Sequence, residues 1–592
     1  MALSLLNFFT MSCLTTSLRP RILTPPRKTT SRSVVCTLRT QSSELPDDRR
    51  TANFPPTVAN NDLIQSLTSN FEGEKYKNRV KELTDHTKNL LELEKDHLTL
   101  LELVDNIERL GLGYLFRGEI NGVLRGILSS YSTSGGAKLP DLDLYSTALL
   151  FRLSRQNGLM VEQDVFRRFM DEKGSFRENL CGDTQGNLSL YDASFLALEG
   201  EPILDEARAF SARNLKELLK GNLEEELKNK VLHVLELPYH WRVTSLEARW
   251  SIDTYERDEK MNPKLLELAK LEYNIRQAQY QRDLKHTSSW WTNMDVSRKL
   301  SFSRDRLAES FLWGIGITYI PQHGYARYVA AQDMQLVTTI DDIYDIYGSI
   351  DELEQLTDFI DKWDINAIDK LPQYMKIPCF ALFNSAHEVA YACLKEQGVN
   401  VVPCVSKLWA GLCKAYLKEA KWFHEGYKPT LNEYIDNAVI TISGSVLLGN
   451  LYLSMKENVL TEEVLENLNN LPEVIKWSSM IFRLCNDFAT STDELSRGDV
   501  LKSVQCYMRD NETSEEVARE HVNNLISDAW KKINKDLVVE SQFPRHFVDG
   551  ALGLARMSHC YYYGGEDRFG RFQRQALDIF RKLLIDPVSM NE

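Results

Sequence analysis

The sequence predicts an all-α protein made of two helical domains. The chain has 592 residues, too many for one hydrophobic core. From Asp62 onward apolar residues recur at helical spacing, with few strand-like alternations. Gly and Pro interrupt that pattern at about helix-length intervals. Composition sets further bounds. A hydrophobic share of 43% suits a globular protein, and a net charge of −14 argues against nonspecific binding to nucleic acid. The ten scattered cysteines include no Cys-x-x-Cys pair, which fits neither a disulfide framework nor a zinc site and suits a reducing compartment.

In chain order, the start differs from the rest. Arg19, Arg21, Arg27, Lys28, Arg32 and Arg39 precede the first acid, Glu44, among many Ser and Thr. This is the composition of an organelle transit peptide, expected over residues 1–48. The apolar run Leu3 to Phe9 is short for a secretory signal and has no basic residue before it. A polar, extended segment follows, with Arg49-Arg50 and the helix-preventing pair Pro55-Pro56. Helical pattern begins at Asp62, continues as a long amphipathic stretch from Glu82 to Leu112, and recurs through the first half up to Leu237.

Met261-Asn262-Pro263 breaks the chain, so an N-terminal domain is expected over 49–265 and a C-terminal one over 266–592. The second half carries longer apolar helices. The most apolar, Ala438 to Met455, contains Thr441, Ser443, Gly444, Gly449 and Asn450 and reads as a buried helix, not a membrane span. No P-loop, Gly-x-Gly-x-x-Gly or Gly-x-Ser-x-Gly occurs, which lowers the case for nucleotide-dependent or serine-hydrolase chemistry.

Two clusters carry chemistry. Asp341, Asp342 and Asp345 lie in an apolar stretch; on a helix Asp341 and Asp345 share a face. Like charges at that spacing repel unless a cation lies between them, and oxygen ligands suit Mg²⁺ or Mn²⁺. Asn486, Thr490 and Glu494 line up at i, i+4 and i+8, with Arg483 one turn earlier. Alone this line reads as a solvated face; opposite the aspartates it reads as a second hard-cation site. Arg304, Arg306, Arg483 and Lys502 lie near the two clusters in sequence and suit phosphate. Two such helices facing across an apolar pocket point to a substrate with a polyanionic head and a greasy tail, such as a prenyl diphosphate.

These residues resemble the plant class I terpene synthases. Asp341-Asp342-Ile343-Tyr344-Asp345 matches their Asp-Asp-x-x-Asp motif, Asn486-Asp487…Thr490…Glu494 their second metal motif, and Arg304-Asp305-Arg306 their Arg-x-Arg element. Arg49-Arg50 after a transit-like leader is similar to the tandem arginine of the monoterpene synthases. The resemblance runs from Arg49 to the C-terminus. It implies a C-terminal catalytic class I terpenoid synthase bundle and an N-terminal helical barrel relic. Asp141-Leu142-Asp143-Leu144 lacks the last acid of an Asp-x-Asp-Asp motif, so protonation-initiated cyclisation is not expected.

The resemblance further implies three Mg²⁺ (or Mn²⁺) ions held by Asp341, Asp342, Asp345, Asn486, Thr490 and Glu494. Arg304, Arg483 and Lys502 would neutralise the leaving diphosphate, and Trp313 and Tyr562 would face the carbocation. Met334 and Thr338 fall on the helical stripe of Asp341 and Asp345, below the metals. Ser443-Gly444-Ser445 resembles the break in the family's pocket helix. The implied activity is that of a monoterpene synthase ionising geranyl diphosphate in the plastid stroma, as a monomer or weak homodimer, with no nucleic-acid partner. Isoprene or sesquiterpene synthesis, a prenyl-elongating transferase and an inactive helical scaffold are the alternatives. There are two departures. Where monoterpene synthases place Trp after the tandem arginine this chain has Ala59, which favours an acyclic product. Where relatives read Gly-Asp-Gly it has Tyr562-Tyr563-Gly564-Gly565-Glu566-Asp567.

Overall fold

The computed structural model describes residues 54–132, 142–496, 500–539, 541–562 and 569–590; for 131–132, 491–496 and 569–573 it describes the backbone alone. The expected leader, Arg49-Arg50 and residues 563–567 therefore lie outside the described residues, as does the side chain of Glu494. Among the described residues the chain is helical, with no strand and one isolated bridge between Met170 and Phe176.

The helices begin and end where local chemistry directs. Asn262 caps the 32-residue helix Pro263–Met294, accepting from the Lys264 and Leu265 amides, with Pro263 at its first position. The expected boundary at 265/266 thus falls in the first turn of a continuous helix. Thr430 and Glu433 form a capping box, and Gly398 and Gly426 end their helices at positive φ.

Residues from Arg50 onward form one compact unit. The largest core cluster runs from Ala59 to Leu584 and draws residues from both halves of the chain. Trp241 stacks on Trp530 (5.3 Å) and His559 (4.6 Å), and Asn534 donates to the carbonyls of Phe195 and Ala197. Two smaller clusters belong mainly to the first half.

Seven helices frame the site: α1 (Leu307–Ile317), α2 (Gly324–Asp342), α3 (Val402–Glu425), α4 (Leu431–Thr441), α5 (Gly444–Ser454), α6 (Glu473–Ser496) and α7 (Arg545–Tyr562). α1 packs against α2 and α7. Its approach to α7 is close: a Cβ at Gly553 would lie 2.6 Å from the carbonyls of Gly316 and Ile317, so only glycine fits there. The apolar stretch expected as one helix is two, α4 and α5, parted by Ser443 at φ 66°. The most apolar 18-residue window within Leu431–Ser454 is 94% buried, as read from sequence.

Candidate active site

A cavity of about 350 Å³ opens between these helices. α2 delivers Met334, Thr338 and Asp341 to its wall, as the helical stripe predicted. α2 ends at Asp342 and continues as a π-helical turn over Ile343–Tyr347, so Asp345 reaches the cavity from a widened turn and not from a regular i+4 position. α6 supplies Phe482, Arg483, Asn486 and Thr490 from the other side, and Lys502 enters from just beyond it.

Asp342 differs from expectation. Adjacent residues on a helix point about 100° apart, and Asp342 turns inward, with its carboxylate 0% exposed. It pairs with Arg304 Nε at 2.8 Å and accepts from the Arg304 amide at 2.7 Å and the Ser303 hydroxyl at 3.2 Å. Burial pushes its pKa up to about 6 against the pull of Arg304. It does not line the cavity. Asp342 was expected among the metal ligands; in the structure its oxygens face away from the cavity and hold the Arg304 loop. Gln335, two turns earlier on the same face, completes that bracket, accepting from the Arg306 amide at 2.7 Å and donating to the Arg304 carbonyl at 3.0 Å.

Arg304 is thereby aimed at the cavity, where Nη2 meets Asp341 at 2.6 Å. Across the cavity Arg483 donates to the Ala438 carbonyl at 3.1 Å, the Thr441 hydroxyl at 2.9 Å and Asn486 Oδ1 at 3.3 Å. Lys502 pairs with Glu419 at 2.8 Å. Burial would raise the Glu419 pKa, but Lys502 and Arg483 outweigh it and hold the carboxyl below its usual range. Asp487, inside the second motif, is fully buried and accepts from the Tyr434 hydroxyl with both oxygens at 2.9 Å.

The floor is aromatic. The Trp313 ring lies 4.7 Å from Phe482, 5.2 Å from Tyr561 and 6.0 Å from Tyr562. The expected Trp313 and Tyr562 thus meet in one cluster. Tyr416, Phe482, Glu419, Tyr561 and Glu309 also line the cavity, though sequence reasoning did not single them out. Glu309 had a signal, since it lies one helical turn from both Arg306 and Trp313. At the mouth are Phe54, Pro55 and Pro56, with the Phe54 ring 5.0 Å from the Arg304 guanidinium.

Among the described residues no three His, Cys, Asp or Glu side chains gather into a closed metal cage. The donors are instead hard oxygens on opposite walls, which fits Mg²⁺ or Mn²⁺ shared with phosphate oxygens better than a buried structural ion. Arg304 and Arg483 already neutralise Asp341 and polarise Asn486, so the charges that such a site must balance are present in the protein.

An all-α protein with oxygen ligands facing each other over an aromatic pocket, ringed by phosphate-type cations, belongs to the class of enzymes that ionise prenyl diphosphates. Residues 292–532 match the terpene synthase family metal-binding domain, and residues 52–235 match the terpene synthase N-terminal domain. The chain belongs to the terpene synthase family. It is 48% identical to a (−)-alpha-terpineol synthase of Vitis vinifera, over 91% of each chain. It is 46% identical to a chloroplastic myrcene synthase of Quercus ilex, over 95% of this chain and 94% of the relative. The solved structure of isoprene synthase from grey poplar (Populus x canescens), in complex with three Mg²⁺ ions and dimethylallyl-S-thiolodiphosphate, superposes with a TM-score of 0.83. It is 44% identical, covering 90% of this chain and 99% of that one.

Proposed function

We propose that this protein is a divalent-metal-dependent monoterpene synthase that ionises geranyl diphosphate. The observation that carries the reading is the facing of Asp341 and Asp345 against Asn486 and Thr490 across an aromatic-floored cavity. Divalent ions held there with Glu494, three per site as in the poplar enzyme, would supply charge neutralisation of the diphosphate.

The chain's own residues account for the rest. Arg304, Arg483 and Lys502 bind and orient the diphosphate and stabilise the charge that develops on its leaving oxygen. The allylic C–O bond breaks with its electron pair going to diphosphate. The faces of Trp313, Phe482 and Tyr562 stabilise the resulting cation. The reaction ends when a carbon-bound proton leaves or a water adds. Relatives at 46% identity include both the Quercus ilex myrcene synthase and a chloroplastic isoprene synthase of Populus alba, which keeps a C5 substrate as the second reading. Residues 49–265 and 266–592 are proposed as the two domains, and 1–48 as the leader to the plastid stroma, in line with the chloroplastic names of several relatives. A monomer or weak homodimer is the proposed assembly.

The test is to incubate the chain from residue 49 onward with Mg²⁺ or Mn²⁺ and C5, C10 and C15 prenyl diphosphates, then separate volatiles by gas chromatography. Product chiefly from the C10 substrate is expected. Product from the C5 or C15 substrate alone would overturn the monoterpene assignment.

A further inference from the structure

Phe54, Pro55 and Pro56 line the cavity, and the segment 54–59 lacks the tryptophan that the family resemblance implies at Ala59, yet it is tied down. Glu309 on α1 is 9% exposed and lies between Arg306 and Trp313. Both of its oxygens are taken by this segment. Oε2 accepts from the Thr57 hydroxyl at 2.7 Å, and Oε1 accepts from the Val58 amide at 3.1 Å. Arg306 Nη2 donates to the Pro55 carbonyl at 2.6 Å, and Ala59 is buried in the main core, 4% exposed. Hence Phe54, Pro55 and Pro56 sit at the cavity mouth because the next three residues are anchored behind them.

A carboxylate lining a carbocation pocket attracts water unless its lone pairs are occupied. Here the occupants are the segment itself. We propose that Glu309 is the positioning residue that latches residues 54–59 over the cavity, so that this latch sets how the carbocation divides between proton loss and capture by water. The inference rests on the proposed carbocation chemistry. In proton loss, a C–H electron pair becomes the new C=C bond and the proton passes to diphosphate or solvent. In capture, a water lone pair forms the C–O bond and the oxonium proton passes to solvent, leaving an alcohol. Segment opening admits the water that the second route consumes.

The test compares Thr57→Ala, Glu309→Gln and Glu309→Ala with the unmodified enzyme, by product ratio and by deuterium exchange at the amides of Thr57, Val58 and Ala59, since Pro55 and Pro56 carry none. Thr57→Ala leaves Glu309 and the pocket wall in place and removes one bond. It and Glu309→Ala should raise both the alcohol-to-olefin ratio and the exchange rate by about 5-fold or more. Glu309→Gln keeps one acceptor oxygen and should fall between. KM should change less than the product ratio, whereas a general folding defect would lower total turnover and leave the ratio alone. Unchanged exchange in both alanine variants, or faster exchange with an unchanged ratio, would overturn the proposal. If the unmodified enzyme released no volatile from any prenyl diphosphate, the proposed function would fall, and the exchange measurement would still decide whether Glu309 is the latch.

Discussion

Asp341 and Asp342 are neighbours in sequence with opposite surroundings, and they should fail in opposite ways when replaced. Asp341 lines the cavity, and Asp341→Ala should cut turnover by about 10²–10³-fold with little change in melting temperature, read by product formation beside a thermal melt. Asp342 is a buried counter-charge. Asp342→Ala removes the buried carboxylate from the Arg304 loop, leaving the guanidinium with Asp341 and the loop with Gln335, so it should cost about 1–3 kcal/mol of stability as well as activity. A variant that melted normally and lost only activity would place Asp342 among the cavity ligands after all. The division follows from helix geometry, because residues i and i+1 point about 100° apart and cannot both face one ligand squarely.

At the scale of elements, the contact between α2 and α5 contains a titratable joint. Asp333 is 2% exposed, and its carboxyl accepts from Asn450 Nδ2 at 2.9 Å, while Asn450 Oδ1 has no partner. Burial pushes the Asp333 pKa up to about 8. The folded protein therefore keeps a proton that the unfolded chain loses near pH 4. The stability from this group is present at low pH and falls as pH rises toward 8, by at most about 1.4 kcal/mol per unit. Asp333→Asn should flatten that dependence, melting higher than the unmodified protein at pH 8 and near it at pH 5. Sequence showed the stripe on α2 and the line of Asn486 and Thr490 on α6, because each is a periodicity within one element; the break at Ser443 was legible only through the family resemblance, since the apolar run by itself reads as one helix. It did not show the π-helical turn that carries Asp345, since nothing in Ile343–Tyr347 departs from a helix-forming pattern. Nor did it show Glu419 beside Lys502 or Tyr416 near Asp341 and Asp345. Those depend on where α3 docks, and α3 reads as an ordinary amphipathic helix.

For the whole molecule, the two halves expected from chain length share one core. Trp241 stacked on Trp530 and His559, which are themselves hydrogen-bonded to each other, and Asn534 bonded to Phe195 and Ala197, make separate unfolding costly. Scanning calorimetry of the chain from residue 49 should show one transition, and Asn534→Ala should lower it by about 2 kcal/mol through lost bonds to buried carbonyls. Two resolved transitions would mean that the interface contributes little. The Arg304–Asp341 pair then has a consequence for how ligands arrive. In the free protein this arginine neutralises the same carboxylate that a divalent ion would use, so cation and protein compete for one charge. An anion that draws Arg304 away frees Asp341, and the two ligands become thermodynamically linked, each raising the other's affinity by the same factor. Titration calorimetry should find Mg²⁺ binding about 10-fold or more tighter with inorganic diphosphate present than without it. Arg304→Ala should shrink that factor by strengthening the binding of Mg²⁺ alone.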